Sequence, residues 1–433
     1  MTGLAWLASQ TRSVGFLMAT RQLSRTPGFY AAPLVLLVMT LSLSAFISSV
    51  AQTLDDYLYD QMRYRTGADM VLTHKVEFSE SGEAEEGLFQ PTESLRIPRW
   101  FYVPLLDYLQ VSGVQHAARV GRFRASLALG DLTKNGIFMG VDRASFSQVA
   151  FWRQDFATES LGAMMNALAI AHNGVLLPRS FMNEYALSAG DPLRVTVTAY
   201  RQETDLFLVI VGSFDLFSTW NPRWGPLFVG NLDYLFEQMG AELPASIWLT
   251  LKPTADPGQA KANLYQLNPS SGIQQPLYEE ITSAQQRPER QGLFGILSVG
   301  FATAALLTTL GFPLYAVFSF QRRSIELGTL RAIGLSSWQM TSYLAWEMTL
   351  LVLIGLAGGT GLGVMISELW IPYFRVGTEE LIRVLPLSVR IAWPAIFGFY
   401  ALFGLMLVAM LGFSVVVSRQ LKLFNAVKLV EAA

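Results

Sequence analysis

The residues best suited to catalysis or metal binding are sparse in this chain of 433 residues. The three histidines, His74, His116 and His172, have no second ligand-type residue at the spacing that zinc sites use. There is no cysteine, so disulfides, thiolate catalysis and cysteine-bound zinc are excluded. Neither His-Glu-x-x-His nor Gly-x-Ser-x-Gly occurs. The sequence therefore predicts no catalytic residue, no metal site and no cofactor bound by this chain.

One short segment, 320–336, has a composition that fits recognition of another protein. Apolar anchors alternate with charged residues over a short predicted helix. Gly334 is placed to end this helix, and Ser336 is placed to cap the next one. The predicted contact residues are Arg322, Arg323, Ile325, Glu326, Gly328, Leu330, Arg331, Ile333 and Gly334. The alternative is a basic loop at a membrane surface that happens to be helical.

The elements that hold this segment are long apolar stretches. Hydrophobic residues make up 52% of the chain and charged residues only 15%, whereas a soluble domain has about 25% charged residues. Five stretches carry no charge: 26–54, 291–321, 332–346, 348–367 and 391–418. Because a bilayer core of about 30 Å needs roughly 20 apolar residues as helix, they predict four transmembrane helices, at 30–54, 293–320, 340–367 and 391–417. The predicted fold class is a polytopic α-helical membrane protein, which excludes a cytosolic enzyme and a disordered or fibrous chain.

Basic residues predict the orientation of these helices. Nine bases flank them on one side: Arg12, Arg21, Arg25, Arg322, Arg323, Arg331, Arg419, Lys422 and Lys428. The short loop on the opposite side, 368–390, is balanced in charge. The positive-inside rule then places both termini and the loop 321–339 in the cytoplasm, and residues 55–290 outside. The net charge of −2 gives no general attraction to nucleic acid.

The segment between the first two helices, 55–290, is long enough to bury a core of its own. It mixes period-two alternation with helical patterns, so a large mixed α/β extracytoplasmic domain is predicted there. Strands are predicted at 193–198, 206–211 and 247–251, and helices at 159–171, 180–187, 232–239 and 256–267. Leu54, Leu58 and Met62 recur every four residues, which predicts that the first transmembrane helix continues outward as a stalk.

The residues before the first transmembrane helix, 1–29, are predicted to contain a cytoplasmic amphipathic helix that lies on lipid. Within 4–25 the apolar residues fall on one side and the arginines elsewhere, which is typical of an interfacial helix. Pro27-Gly28 is expected to end it.

The third predicted transmembrane helix contains glycines and an acid that suggest specific contacts. Gly355, Gly359 and Gly363 recur every four residues, a pattern that permits close contact with another helix. Glu347 is an acid within an otherwise uncharged span, about two turns from its cytoplasmic end. Intramembrane acids are functional candidates; the alternative is that Glu347, so close to the interface, simply snorkels toward it or caps a neighbour.

The segment 322–334 resembles a signature of the FtsX-like ABC permeases, Arg-Arg-x-x-Glu-x-Gly-x-Leu-Arg-Ala-x-Gly. The resemblance continues through Trp346-Glu347 and 353–363. It extends more loosely to 21–27, 174–177, 186–191 and 207–214. This family includes the macrolide exporter MacB and the lipoprotein-releasing permeases.

The resemblance implies a permease with a MacB-like core domain over 55–290 and an FtsX-like domain over 291–433. It implies that the loop 321–339 contacts an ATPase, whose ATP hydrolysis moves the outer domain by mechanotransmission. No Gly-x-x-x-x-Gly-Lys-Ser/Thr motif occurs in these 433 residues. ATP and Mg²⁺ are therefore expected in a separate ATPase subunit.

The resemblance also implies partners, a location and an activity. The expected partners are the ATPase, a second permease copy or a sister permease, membrane lipids, and an extracytoplasmic adaptor or lipoprotein; nucleic acid is not expected. The expected location is the bacterial cytoplasmic (inner) membrane, and the expected activity is export or extraction of an apolar or amphipathic substrate. Two alternatives stay open: FtsX-type signalling to an extracytoplasmic partner such as a cell-wall hydrolase, and a membrane-anchored extracytoplasmic enzyme.

Overall fold

The computed structural model describes residues 14–25, 27–74, 77–78, 98–99, 103–130, 132–199, 202–269, 271–273, 276–322, 336–373 and 384–420. Its helices are α1 (Val14–Arg25), α2 (Pro27–Thr66), α3 (Leu105–Gln110), α4 (Phe146–Val149), α5 (Leu161–Ile170), α6 (Arg179–Glu184), α7 (Leu232–Met239), α8 (Pro257–Leu267), α9 (Leu277–Gln285), α10 (Pro288–Arg322), α11 (Ser337–Trp370) and α12 (Trp393–Gln420). Its strands are β1 (Met70–His74), β2 (Glu77–Phe78), β3 (Pro98–Arg99), β4 (Val114–Leu129), β5 (Leu132–Val141), β6 (Gly174–Pro178), β7 (Pro192–Ala199), β8 (Gln202–Phe214), β9 (Leu227–Asn231), β10 (Ser246–Leu251) and β11 (Ser271–Ile273).

The described residues form two compact units. The helical unit contains those up to residue 57, those of 287–373 and those of 386–420. The sheet unit contains those of 58–286 together with 384–385. Helix α2 belongs to both, since it begins in the helical unit and ends in the sheet unit as one helix of 40 residues. The predicted helical continuation beyond residue 54 is confirmed.

Four long helices, α2, α10, α11 and α12, cover the four predicted transmembrane segments. Within the described residues, three stretches are long and apolar enough to cross a membrane: Tyr30–Thr66, Pro288–Leu307 and Ser342–Tyr373. Helix α12 contributes a shorter apolar stretch, Trp393–Ala409. The lengths and compositions of these helices suit a membrane-embedded unit, and the count of four crossings stays a prediction.

Helix α1 contacts α11, a contact that the sequence did not predict. Ala19 and Leu23 are buried in a cluster shared with α11, and contact of the other apolar residues of α1 with lipid stays a prediction. Phe16 of α1 contacts Trp346 of α11, with ring centroids 4.9 Å apart. Amphipathic spacing marks an apolar face, but it does not distinguish a lipid surface from a neighbouring helix.

The sheet unit is built on nine strands in the order β11-β1-β10-β4-β5-β9-β6-β8-β7. Strand β4 is 16 residues long and also pairs with β7, which closes β4, β5, β9, β6, β8 and β7 into a ring. Strand β7 alternates between exposed and buried residues, and its Leu193, Val195 and Val197 are buried. The apolar core of the ring also includes Phe123, Phe138, Leu177, Leu206 and Phe228.

The remaining strands of this sheet, β10, β1 and β11, extend it from the first half of β4. Helices α3 and α8 cover this part, and their Tyr108 and Leu264 are buried in one cluster with Leu249 of β10. The strands and helices predicted within 159–267 are confirmed by β7, β8, β10, α5, α6, α7 and α8, with small differences at their ends.

Candidate functional site

The predicted contact loop, 321–339, lies mostly outside the described residues. Arg322 is the last residue of α10, and α11 begins beyond the loop. Arg323, Ile325, Glu326, Gly328, Leu330, Arg331, Ile333 and Gly334 lie outside the described residues. Ser336 caps α11 as predicted. The Gln339 N–H donates to Ser336 Oγ at 3.2 Å, and the Ser336 N–H donates to Gln339 Oε1 at 3.1 Å.

The three predicted glycines of α11 lie against α2. Gly355 faces Leu37, Gly359 faces Leu41 and Gly363 faces Ala45. Because the residue numbers on the two helices rise together in steps of four, about one helical turn, α2 and α11 run parallel in one register. We call this contact the glycine seam.

The backbones approach closely along the glycine seam. A methyl group built on Gly359 would lie 2.8 Å from Leu41 Cβ and 3.1 Å from the Val38 carbonyl oxygen. A methyl group on Gly363 would lie 2.9 Å from the Ser42 carbonyl oxygen. The distances to Leu41 Cβ and to the Ser42 carbonyl oxygen are too short for a side chain unless the helices shift, so this approach requires glycine at both positions.

Glu347, the predicted intramembrane acid, lies on the same side of α11. Only 1% of Glu347 is exposed. The Tyr30 hydroxyl of α2 donates a hydrogen bond to Glu347 Oε1 at 2.5 Å, and Tyr30 is itself 2% exposed. A buried carboxyl is costly unless it is hydrogen-bonded, so Tyr30 lowers the cost of placing Glu347 here. The pair continues the register of the glycine seam toward the first residues of α2.

A second group of polar contacts, which was not predicted from the sequence, lies around α2 near residue 55. Arg290 of α10 forms an ion pair with Asp55 at 2.5 Å. The side-chain Nε of Arg390 lies 4.0 Å from Asp56 Oδ2. The backbone N–H of Arg390 donates to the Thr53 hydroxyl at 3.0 Å. The signal was available, because Asp55 and Asp56 directly follow the first charge-free stretch, whereas Arg290 and Arg390 directly precede the second and the last. Ion pairs this exposed contribute about 1 kcal/mol or less each.

The C-terminal end of α2 is held by aromatic residues of the sheet unit. The Tyr64 hydroxyl donates to the Trp220 carbonyl at 2.5 Å, and the Thr219 N–H donates to the Tyr64 carbonyl at 2.8 Å. The Tyr64 ring packs edge-on against Phe156, with centroids 5.6 Å apart. Connected ring contacts then join Phe146, Phe151, Trp152, Phe156, Phe214, Phe217, Trp220 and Trp248. We call these eight residues the aromatic socket.

The histidines of the sheet unit belong to no candidate metal site in the part of the chain that is described. There, no group of three histidines or carboxylates could hold a metal ion. His172 is half exposed and lies 2.9 Å from Glu237 Oε2 and 3.2 Å from Asn231 Nδ2. These contacts suit a surface histidine.

Two carboxylates of the sheet unit have pKa values lowered by local pairing. Hydrogen bonds from Thr196 and Arg194 hold the pKa of the Asp205 carboxyl below its usual range. A hydrogen bond from Lys261 likewise lowers the pKa of Glu279. Both carboxylates are on the surface, so the shifts reflect local pairing and not a catalytic cleft.

Comparison with known families identifies the C-terminal part. Residues 298–425 match the family model described as FtsX-like permease C-terminal. Residues 298–425 are therefore similar to an FtsX-like permease domain. The resemblance predicted from the loop signature is confirmed, and the matched residues include that loop, the glycines of the seam and all of α12. A search of curated proteins gave no match.

Two solved structures are similar to part of this chain. One is the extracellular domain of the noncanonic ABC-type transporter YknZ from Gram-positive bacteria. It has a TM-score of 0.26 and 10% identity, over 37% of this chain and 75% of that one. The other is the periplasmic region of MacB from Actinobacillus actinomycetemcomitans. It has a TM-score of 0.31 and 12% identity, over 51% of this chain and 94% of that one.

Proposed function

We propose that this chain is the permease subunit of an ABC transporter complex in a bacterial cytoplasmic membrane. The match of residues 298–425 to the FtsX-like permease domain carries the proposal. In this complex a separate ATPase subunit binds ATP and Mg²⁺ and contacts the loop 321–339. A second permease copy or a sister permease completes the membrane part, and an extracytoplasmic adaptor or lipoprotein is a further partner.

The proposed mechanism is mechanotransmission through α2. ATP-driven movement of the ATPase displaces the helical unit, and α2 passes the displacement to the sheet unit for export or extraction of an apolar or amphipathic substrate. The continuity of α2 supports this mechanism. Between residues 34 and 66 it contains neither proline nor glycine, which are the usual causes of sharp helix kinks.

The proposed orientation predicts opposite labelling of two single-cysteine variants. The chain has no cysteine of its own, so the background is clean. Ile170→Cys replaces a side chain that is 90% exposed in the sheet unit, and it should react with a membrane-impermeant thiol reagent in intact cells. Ser336→Cys, at the exposed start of α11, should react only after the membrane is opened. The reverse labelling pattern would overturn the orientation.

The proposed coupling loop predicts that Leu330→Asp detaches the ATPase. Buried apolar anchors supply most of the affinity of such a contact, and an aspartate here would bury an unpaired carboxylate. Co-purification of the ATPase with a tagged permease, followed by the ATP turnover of the reconstituted complex, measures the effect.

Glu326→Ala is the comparison variant for this loop. A charge at the rim of a contact mainly affects orientation and association rate, so this variant should keep the ATPase bound but couple its turnover poorly. Membrane insertion should be unchanged in both variants, since the flanking arginines remain. A full complement of ATPase with normal turnover in Leu330→Asp would show that the loop is not the coupling element.

A further inference from the structure

Helices α2 and α11 keep one register over much of their length. The Tyr30 hydroxyl bonds to Glu347 near one end, and the glycine seam occupies the middle. Leu54 packs in one cluster with Ile371, directly after α11, at the other end. All of these residues belong to the helical unit.

The glycine seam contributes to this register but does not set it alone. A slide of four residues, about one turn and about 6 Å, would place Gly355 opposite Leu41 and Gly359 opposite Ala45, so that two of the three positions would still hold glycine and Leu351 would meet Leu37. The same slide would break the hydrogen bond between Tyr30 and Glu347. Losing a hydrogen bond to a buried carboxyl is costly, so this pair distinguishes the observed register from its neighbours.

We infer that Tyr30 and Glu347 form a register latch that makes α2 and α11 move as one body. Helix α11 begins at the loop proposed to contact the ATPase, and α2 runs on to residue 66. A displacement of the loop therefore reaches α2 through the latch without slippage along the seam. The inference rests on the proposed function for the source of the displacement, whereas the register is measurable without an ATPase.

Pairs of cysteines report the register directly. Leu37→Cys with Gly355→Cys is the in-register pair, because Leu37 Cβ lies 3.4 Å from a methyl built on Gly355 and disulfides have Cβ–Cβ separations of about 3.5–4.5 Å. The Leu37→Cys change also removes the leucine atoms that would overlap a side chain at Gly355. Leu41→Cys with Gly355→Cys, in a chain that also carries Leu37→Ala to remove the same overlap, reports a slide of one turn.

In membranes, the in-register pair should cross-link readily in the otherwise native chain, and the one-turn pair should not. Tyr30→Phe or Glu347→Leu should raise the one-turn cross-link about tenfold, as expected when one hydrogen bond to a buried carboxyl is lost. Glu347→Gln keeps an acceptor oxygen for the Tyr30 hydroxyl, so its one-turn cross-link should stay close to the native level.

Tyr400→Phe is the matched control for the latch. It removes a tyrosine hydroxyl that lies 2.7 Å from the Thr360 hydroxyl of α11, but Tyr400 comes from α12 and not from α2. The one-turn cross-link should stay at its native level in this variant. A one-turn cross-link that does not rise in Tyr30→Phe and Glu347→Leu would overturn the inference.

Movement as one body is tested in the assembled complex. Oxidising the in-register pair should leave ATP turnover unchanged relative to the reduced complex, because the cross-linked helices do not need to slide. Turnover that stops on oxidation and returns on reduction would overturn the inference. Failure of any ATPase to assemble with the chain would instead count against the proposed function, while the cross-linking in membranes still decides the latch.

Discussion

Replacing Gly359 by leucine should prevent the helical unit from assembling. Any Cβ at this position would lie 2.8 Å from Leu41 Cβ and 3.1 Å from the Val38 carbonyl oxygen, and a backbone oxygen cannot rotate away as a side chain can. Leucine would force α2 and α11 apart at the centre of the glycine seam. The cost should reach or exceed the roughly 1–3 kcal/mol typical of an overpacked core. The measurement is the yield of monodisperse protein in detergent, which should fall to a small fraction of the native yield.

Two neighbouring glycines of α11 provide matched controls. A methyl group built on Gly361 has no atom within 4 Å, and one built on Gly358 has Val38 Cγ2 at 3.4 Å, an ordinary contact. Gly361→Leu and Gly358→Leu should therefore be recovered in much higher yield than Gly359→Leu. Equal yields for all three variants would show that the glycine seam does not hold α2 and α11 together.

The seam shows which part of the site the sequence could predict. The spacing of Gly355, Gly359 and Gly363 predicts a close helix contact, because small residues at one helical face are a local property. It does not predict the partner helix. The facing residues on α2 are Leu37, Leu41 and Ala45, which are ordinary residues of an apolar helix. Similarly, Glu347 was predicted as a functional candidate, but its partner Tyr30 is remote in sequence.

In the fold, too, the local elements could be predicted from the sequence, whereas their long-range pairing could not. Long apolar stretches predict helices because hydropathy over about 20 residues is local, and period-two alternation predicts strands such as β7 and β10. The pairing of β4 with β7 depends on residues far apart in sequence, such as Arg124 and Thr198, and no local pattern indicates it. The contact of α1 with α11 was likewise not predicted, since the spacing of apolar residues does not identify the surface that they contact.

The C-terminal end of α2 requires a glycine because of its backbone conformation, whereas the seam requires glycines because two helices approach closely. Gly67 follows the last residue of α2 with φ of +81°, a conformation that glycine tolerates best. Its N–H donates to the Arg63 carbonyl at 2.8 Å, and its carbonyl accepts from the Phe151 N–H at 2.8 Å. A methyl group here would lie 2.4 Å from the Trp248 ring. Trp248 is 3% exposed and belongs to the aromatic socket, so its ring has little room to move.

Gly67→Ala should therefore destabilise the sheet unit by roughly 2–6 kcal/mol, from left-handed strain and from overlap with Trp248. Gly240→Ala is the matched control, because Gly240 ends α7 with φ of +70° and a methyl built there has no atom within 4 Å. Its cost should be strain alone, roughly 1–3 kcal/mol.

Thermal unfolding followed by tryptophan fluorescence measures the effect of both variants. A loss of 1 kcal/mol should lower the Tm by about 2–4 °C for a unit of this size. Equal decreases in Tm would mean that the Trp248 ring moves aside and that the aromatic socket does not hold the end of α2 rigidly. Mechanotransmission through α2 requires this rigid attachment, so that result would count against it.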